Sequence, residues 1–136
     1  MSAAAATVAP EVSLKILLCE DDAATRSAMG RLLRRAGADV TTVGDGAEAL
    51  QELLERHYDV LLTDLHMPAA QMNGFELLEQ TAHLPLPNRP RRVVAISGEY
   101  DRPSLVESLS RPGGVDFFPK PLDLNHLLDT LGGGLH

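Results

Sequence analysis

Short apolar runs alternate along the chain with longer segments of helical period, and this alternation constrains the fold more than any other feature. The first run, Lys15–Cys19, has no alternating polar positions, as expected of a strand buried on both faces. Further runs lie at residues 39–43, 58–63, 92–97 and 115–118. Strands that alternate with helices form a parallel sheet covered by helices on both faces. The sequence therefore predicts an α/β fold.

The segments between the runs carry the spacing of amphipathic helices. In the last segment, leucines at 124, 127, 128 and 131 follow the i, i+3, i+4, i+7 pattern of one buried helical face. The periodicity also predicts helices at about residues 25–36, 47–54, 75–82 and 103–110. Gly37 stands where the first helix should end, because glycine readily adopts the left-handed conformation of a helix terminus. Five βα units result.

Polar and charged residues stand at the carboxyl ends of four predicted strands. They are Glu20 and Asp21, Asp64, Ser97 and Lys120. Right-handed crossovers between parallel strands place all these ends on one edge of the sheet. Open sheets of this kind bind ligands at that edge, near the point where the strand order reverses. We therefore expect these side chains to form one site.

The chemistry of this set favours a metal ion and a phosphoryl group. Two carboxylates near 4 Å repel each other by about 4 kcal/mol at an effective dielectric constant of about 20, so three together require a counter-charge. Hard oxygen ligands suit Mg²⁺, with Mn²⁺ as the second choice. The Lys120 ammonium and the Ser97 hydroxyl would then hold the oxygens of a transferring phosphoryl group, together with the metal and backbone amides.

Composition narrows the class of protein. A chain of 136 residues, 44% of them hydrophobic, matches one globular domain with a genuine core. The 19 acidic and 12 basic residues give a formal charge of -7, which repels a nucleic-acid backbone. The one dense basic run, at residues 89–92, is interrupted by Pro90 and is interpreted as a solvated loop. Nucleic acid is not an expected partner.

Cysteine content and hydropathy bear on location. Cys19 is the only cysteine, which excludes an internal disulfide and agrees with a reducing compartment. We expect it to be a buried, inert thiol because it lies in an apolar run. The first 13 residues lack the features of a secretory signal, and no stretch approaches the roughly 18 apolar residues of a membrane span. We expect a cytoplasmic protein with no membrane association.

Four ordered motifs resemble the response-regulator receiver family of two-component signalling, to which the chemotaxis regulators belong. The motifs are ILLCEDD at 16–22, LLTDLHMP at 61–68, AISG at 95–98 and FFPKPL at 117–122. The resemblance implies a flavodoxin-like doubly wound (βα)5 fold with a five-stranded parallel sheet in the order 2-1-3-4-5. It also implies a receiver domain over residues 14–132, a flexible N-terminal tail at 1–13 and a C-terminal tail at 133–136.

The resemblance also implies roles for the residues around Asp64. Asp64 matches the phospho-acceptor, a carboxylate nucleophile that forms an aspartyl phosphate. Glu20 and Asp21 match the acidic pair that holds Mg²⁺, joined by the Asp64 carboxylate and the backbone carbonyl of His66. Asp22, in contrast, is predicted to cap the first helix.

Further matches lie on the fourth and fifth βα units. Ser97 and Lys120 match the residues that contact the phosphoryl group, with Ser97 reorienting toward it. Phe117 stands where the family places its switch aromatic, and Pro121 matches its usual cis-peptide position. By this resemblance, phosphorylation favours one arrangement of the fourth and fifth units, which a partner protein reads.

The resemblance implies partners and leaves an alternative. The phosphoryl donor would be a phosphohistidine on a sensor histidine kinase or a histidine phosphotransfer protein, and the reader a downstream output protein or domain. Dimerisation through the face of the fourth and fifth units is a further expectation. Such a module is no enzyme toward other substrates, since it assists only its own phosphorylation and dephosphorylation. The alternative is a metal-dependent phosphatase or phosphotransferase for small molecules, which would need a substrate pocket and an acid/base group that the sequence does not reveal.

The chain departs from the family pattern near Asp64. The loop at residues 67–74 is about two residues longer than the usual Met-Pro-x-Met-Asp/Asn-Gly, and Pro119 is an uncommon neighbour for Lys120. The residues two places past Asp64 and Ser97, where the family tunes hydrolysis, are His66 and Glu99. These departures predict a reshaped rim around Asp64 with its catalytic groups retained.

Overall fold

A computed structural model of the chain describes residues 13–98 and 114–131. Glu99, the predicted helix at residues 103–110, the tail at 133–136 and all but Ser13 of the predicted N-terminal tail lie outside the described residues.

A five-stranded sheet forms the centre of the molecule. Its strands are β1 (Lys15–Cys19), β2 (Asp39–Val43), β3 (Val60–Asp64), β4 (Arg92–Ser97) and β5 (Asp116–Pro119). Neighbouring strands pair in parallel, in the order β2-β1-β3-β4-β5. This confirms the predicted parallel sheet of order 2-1-3-4-5. The third strand begins two residues later than predicted and includes Asp64 itself, and the fifth is shifted by one residue.

Helices cover both faces of this sheet. The described residues contain four α-helices and one short 3-10 helix: α1 (Ala23–Arg35), α2 (Gly46–Glu55), α3 (Gly74–Ala82), the 3-10 helix Leu86–Asn88 and α4 (Leu124–Thr130). Helix α1 begins two residues before its predicted start because the Asp22 carboxylate caps it, accepting the Thr25 N–H at 2.9 Å. Gly37 has a φ of 104°, which confirms that a left-handed residue ends this helix.

The two faces of β1 are packed into separate halves of the core. Ile16 and Leu18 face a cluster that includes Leu33 of α1 and Leu127 of α4. Leu17 and Cys19 face the opposite cluster, which includes Leu53 of α2 and Leu77 of α3. All four of these β1 side chains are fully buried, which explains why the strand shows no polar alternation. Each such leucine contributes about 1.5–3 kcal/mol to stability by leaving water.

Helix α3 starts directly against the end of β3. The Gly74 N–H donates to the Leu65 carbonyl at 3.2 Å. A Cβ on Gly74 would lie only 2.1 Å from the Asp64 carbonyl oxygen and 2.6 Å from the Leu65 Cα. Both neighbours are backbone atoms, so this close approach depends on glycine. The Asn73 side chain then fixes the start of the helix through a capping box with Glu76.

We predict that Gly74→Ala destabilises the domain by about 1–3 kcal/mol or more, because the added methyl group must push the end of β3 away from α3. The free energy of unfolding, measured by urea denaturation, provides the test. Gly98→Ala is the matched control, since a Cβ at Gly98 has no neighbour within 4 Å among the described residues. A Gly74→Ala change within about 0.5 kcal/mol of the parent, the range of ordinary surface substitutions, would contradict the packing described.

Candidate functional site

Three carboxylates meet at the carboxyl edge of the sheet. Glu20 and Asp21 directly follow β1, and Asp64 ends β3, its hydrogen-bonded neighbour. One carboxylate oxygen of each residue lies within 4.8 Å of those of the other two. The parallel register produces this proximity, because Cys19 pairs with Thr63. The residues that follow this pair, Glu20 and Asp64, therefore lie side by side.

Burial makes this concentration of negative charge costly. Glu20 and Asp64 are only 3% and 2% exposed. Burial, together with the charge of Asp64, raises the pKa of Glu20 to about 7, although the Asp22 N–H, 3.0 Å from a Glu20 carboxylate oxygen, acts in the opposite direction. The three carboxylates therefore favour any cation that reaches them.

Lys120 supplies a positive charge from the other side of Asp64. Its Nζ donates to Asp64 Oδ2 at 2.6 Å. Partial burial lowers the pKa of Lys120, but the hydrogen bond to Asp64 and the charges of Asp64 and Glu20 outweigh it, so the net pKa lies above its ordinary value. The backbone N–H of Lys120 also donates a hydrogen bond to the Ser97 carbonyl at 3.2 Å. The following bond to Pro121 is cis, as predicted.

Ser97 and His66 flank Asp64. Ser97 is fully buried at the end of β4, where Ile96 pairs with Asp64 and Ser97 pairs with Pro119. The His66 N–H donates to Asp64 Oδ1 at 3.2 Å. The His66 ring is turned outward and contacts the Phe75 ring edge-on, with the ring centroids 5.4 Å apart. The backbone of His66 thus belongs to the immediate surroundings of Asp64.

Phe117 lies behind the carboxylates rather than among them. It is half-buried on β5, opposite Ala95. It packs against the small cluster formed by Leu65, Leu78 and Ala95, which Phe75 also joins. This cluster contains Leu65, so Phe117 packs in the same group of side chains as the residue that follows Asp64.

The sequence did not indicate two side chains that make hydrogen bonds at this edge of the sheet. The Arg26 guanidinium donates to the Glu20 carbonyl at 2.8 Å and joins α1 to the end of β1. The Asp45 carboxylate accepts N–H groups from the longer loop after β3, at 2.6 Å from Gln71 and 3.3 Å from Met72. The unusual length of that loop is the only signal of the Asp45 contacts in the sequence.

Comparison with known proteins decides the family. The model of the response regulator receiver domain matches residues 16–132. The chain belongs to this family. Receiver domains are the phosphoryl-accepting modules of two-component signalling. One relative is the sensory/regulatory protein RpfC of Xanthomonas campestris pv. campestris, 33% identical over 120 residues. That match covers 88% of this chain but only 16% of RpfC.

Solved structures agree with this assignment. The receiver domain of the Francisella response regulator 1452 is similar, with 25% identity, a TM-score of 0.75 and coverage of 90% of this chain and 97% of that one. The chemotaxis response regulator CheY4 of Vibrio cholerae has 25% identity and a TM-score of 0.74, with coverage of 90% and 98%. These likenesses confirm the flavodoxin-like receiver fold. Within residues 13–98 and 114–131, no helix is long and apolar enough to cross a membrane.

The Cys19 thiol, which precedes the acidic pair Glu20 and Asp21, has low expected reactivity. Cys19 is fully buried, and its Sγ lies 3.7 Å from the Met67 Sδ. Burial, reinforced by the charges of Asp45, Glu20 and Glu48, raises its pKa to about 12 despite a hydrogen bond with Thr63. Since the thiolate is the reactive form, the folded protein should resist alkylation.

We predict that iodoacetamide leaves the folded receiver unmodified between pH 7 and pH 9, because a thiol with a pKa of about 12 stays protonated throughout that interval. Intact mass spectrometry provides the measurement. In guanidinium chloride the thiol regains its ordinary pKa, and one adduct should form at pH 9. Rapid alkylation of the native protein at pH 8 would show that Cys19 is neither buried nor raised in pKa.

Proposed function

We propose that Asp64 is the phospho-acceptor of this receiver domain and that its carboxylate attacks the phosphorus of a phosphohistidine. A new O–P bond forms as the P–N bond to the donor breaks, and the donor imidazole leaves. The observation that carries the proposal is the position of Asp64, whose carboxylate lies both within the cluster of Glu20 and Asp21 and 2.6 Å from Lys120. An acceptor in this position has countercharge for a transferring phosphoryl group on one side and metal-binding oxygens on the other.

Lys120 and His66 orient the nucleophile. The Asp64 carboxylate is held at both oxygens, with the His66 N–H on Oδ1 and the Lys120 ammonium on Oδ2. This arrangement restricts the rotation of the carboxylate, which prepares it for in-line attack. As the phosphoryl group arrives, Lys120 is near enough to shift its hydrogen bond from Asp64 to a phosphoryl oxygen.

The donor set fits a hard divalent cation. Three carboxylates supply oxygen ligands within 4.8 Å of one another, and two of them are almost fully buried. Oxygen-only donors that leave places for water and phosphate match Mg²⁺, with Mn²⁺ as the second choice. Glu20, Asp21 and Asp64 would hold the ion, with the His66 backbone carbonyl as a further ligand. When bound, the ion supplies positive charge that offsets the carboxylates and the phosphoryl oxygens.

Ser97 and Phe117 are the proposed switch. Ser97 ends β4 beside Asp64, and its hydroxyl would become a donor to the phosphoryl group. Phe117 packs in the cluster that contains Leu65 and Ala95, behind the same strand ends. A shift of Ser97 would therefore alter the packing around Phe117 and change the face of the fourth and fifth βα units, through which a partner or a second copy would read the signal.

The proposed partners follow from the family. Receiver domains interact with histidine kinases and with output domains, and here the donor would be a sensor histidine kinase or a histidine phosphotransfer protein. We infer a cytoplasmic location, where a lone thiol such as Cys19 stays reduced. The family match favours this phospho-acceptor role over a small-molecule phosphatase. Assistance to its own phosphorylation and dephosphorylation is the only catalysis that we assign to the domain.

We predict that incubation with Mg²⁺ and acetyl phosphate or phosphoramidate adds one acid- and base-labile phosphoryl group, because Asp64 is a single activated nucleophile. Intact mass spectrometry measures the addition. Asp64→Asn should show none, whereas Asp129→Asn, a control at an exposed carboxylate of α4, should behave like the parent. Phosphoryl uptake by Asp64→Asn would refute the assignment, and multiple turnover without modified protein would indicate a small-molecule enzyme.

A further inference from the structure

The loop between β3 and α3 is held against the first turn of α2 by one carboxylate. Asp45 Oδ2 accepts the Gln71 N–H at 2.6 Å, and Oδ1 accepts the Met72 N–H at 3.3 Å. Oδ1 also caps α2 by accepting the Ala47 N–H at 2.7 Å. In the reverse direction, the Gly46 N–H donates to the Met72 carbonyl at 2.9 Å. The loop and the start of α2 are therefore joined backbone to backbone.

This contact leaves no space for a side chain at its centre. A Cβ on Gly46 would lie 2.7 Å from the Met72 carbonyl oxygen. Partial burial raises the pKa of Asp45, but the N–H groups of Ala47, Gln71 and Met72 outweigh it and hold the pKa below its ordinary value. The carboxylate is thus ionised and bonded to the loop at neutral pH.

The same loop reaches the carboxylate cluster at its other end. The Ala69 N–H donates to Asp21 Oδ2 at 3.1 Å. Asp21 is one of the three residues whose oxygens converge on the proposed metal position. Between Met67, which is buried, and Gly74, which is packed on β3, the loop therefore bridges two carboxylates on different elements: Asp21 after β1 and Asp45 before α2.

We propose that Asp45 is a positioning residue for the phosphorylation site, holding the longer loop so that the Ala69 N–H fixes the orientation of Asp21. This inference rests on the proposed function of the Asp64 site. A fixed Asp21 presents its remaining oxygen to the metal without first losing side-chain freedom. Because the loop leaves β3 directly after Asp64, its anchoring should also limit the approach of water to an aspartyl phosphate.

Asp45→Asn removes the Oδ2 acceptor of the Gln71 N–H but keeps the Oδ1 oxygen that accepts the N–H groups of Ala47 and Met72. Asparagine caps helices about as well as aspartate, so its oxygen keeps the bond to the Ala47 N–H. Its NH₂ group then faces the Gln71 N–H. Because both groups are donors, no hydrogen bond can form between them. Asp123→Asn is the matched control, because Asp123 caps α4 by accepting the His126 N–H and makes no bond to the loop in the described structure.

The experiment measures amide hydrogen exchange and Mg²⁺ titration by NMR in the parent and both variants. With Asp45→Asn, exchange at Gln71 should accelerate about tenfold, as expected for the loss of a charge-assisted hydrogen bond, and exchange at Ala69 should accelerate as the loop loosens. The Kd for Mg²⁺ should rise about threefold to tenfold. Residues that hydrogen-bond to metal ligands typically change metal affinity by about 10–100-fold, so this effect lies at or below the low end of that range. The aspartyl phosphate should hydrolyse severalfold faster. Asp123→Asn should match the parent in all three measurements.

Two results would overturn the inference. Unchanged exchange in Asp45→Asn would show that Asp45 does not hold the loop. Faster exchange with an unchanged Kd for Mg²⁺ and an unchanged phosphoryl lifetime would show that the loop does not position the site. Failure of the proposed function is distinct, because the parent itself would then acquire no phosphoryl group on Asp64 while exchange and Mg²⁺ binding still report on Asp45.

Discussion

The structure around Asp64 depends on the balance of charge at one sheet edge. A carboxylate that is 2% exposed lies within 4.8 Å of two others, and the positive charge it contacts is the ammonium of Lys120 at 2.6 Å. The Lys120 side chain is 44% exposed, so solvent screens the pair and its loss should cost less than the roughly 3–5 kcal/mol typical of a fully buried pair. The site therefore carries excess negative charge. A bound metal ion would offset this charge, and loss of the Lys120 ammonium would increase it. The phosphoryl group proposed for Asp64 would add further negative charge at this edge.

The balance of charge results from the positions of the strand ends in the sheet, because the charged residues are not close in sequence. The acidic pair, Asp64 and Lys120 are far apart in the chain, and parallel pairing in the order β2-β1-β3-β4-β5 brings β1 and β5 to either side of the β3–β4 pair. Gly74 lets α3 start against the end of β3, so the backbone of Asp64 is held by two elements. The position of the proposed nucleophile, Asp64, is thus set by the central strands of the sheet and the start of α3.

Sequence reasoning succeeded where burial dictates the pattern. The strand β1 is buried on both faces, so its continuous apolar run identified it and located Glu20 and Asp21 at its end. Helix periodicity located α1 to within two residues at its start, and the difference came from the Asp22 cap. Strand order and the cis peptide came from resemblance to a family, since periodicity carries information on neither.

The contacts of the long loop could not be predicted in the same way. A loop has no hydrophobic period, and its path depends on which distant groups accept its N–H bonds. The acceptors here, Asp21 and Asp45, are short polar residues that also suit turns and caps. Their second role appears only when β1, β3 and α2 are placed together. The outward position of the His66 ring, against Phe75, is likewise a result of tertiary packing.

The most direct test of the charge balance is a comparison of Mg²⁺ affinity and phosphorylation rate in the parent and Lys120→Gln. Removing the ammonium leaves the carboxylates more negative, so Lys120→Gln should bind Mg²⁺ more tightly than the parent in an NMR titration. Its rate of phosphorylation by phosphoramidate should nevertheless fall about 10²-fold or more, because it lacks a donor for the phosphoryl oxygens. Weaker Mg²⁺ binding combined with phosphorylation at the parental rate would contradict the account.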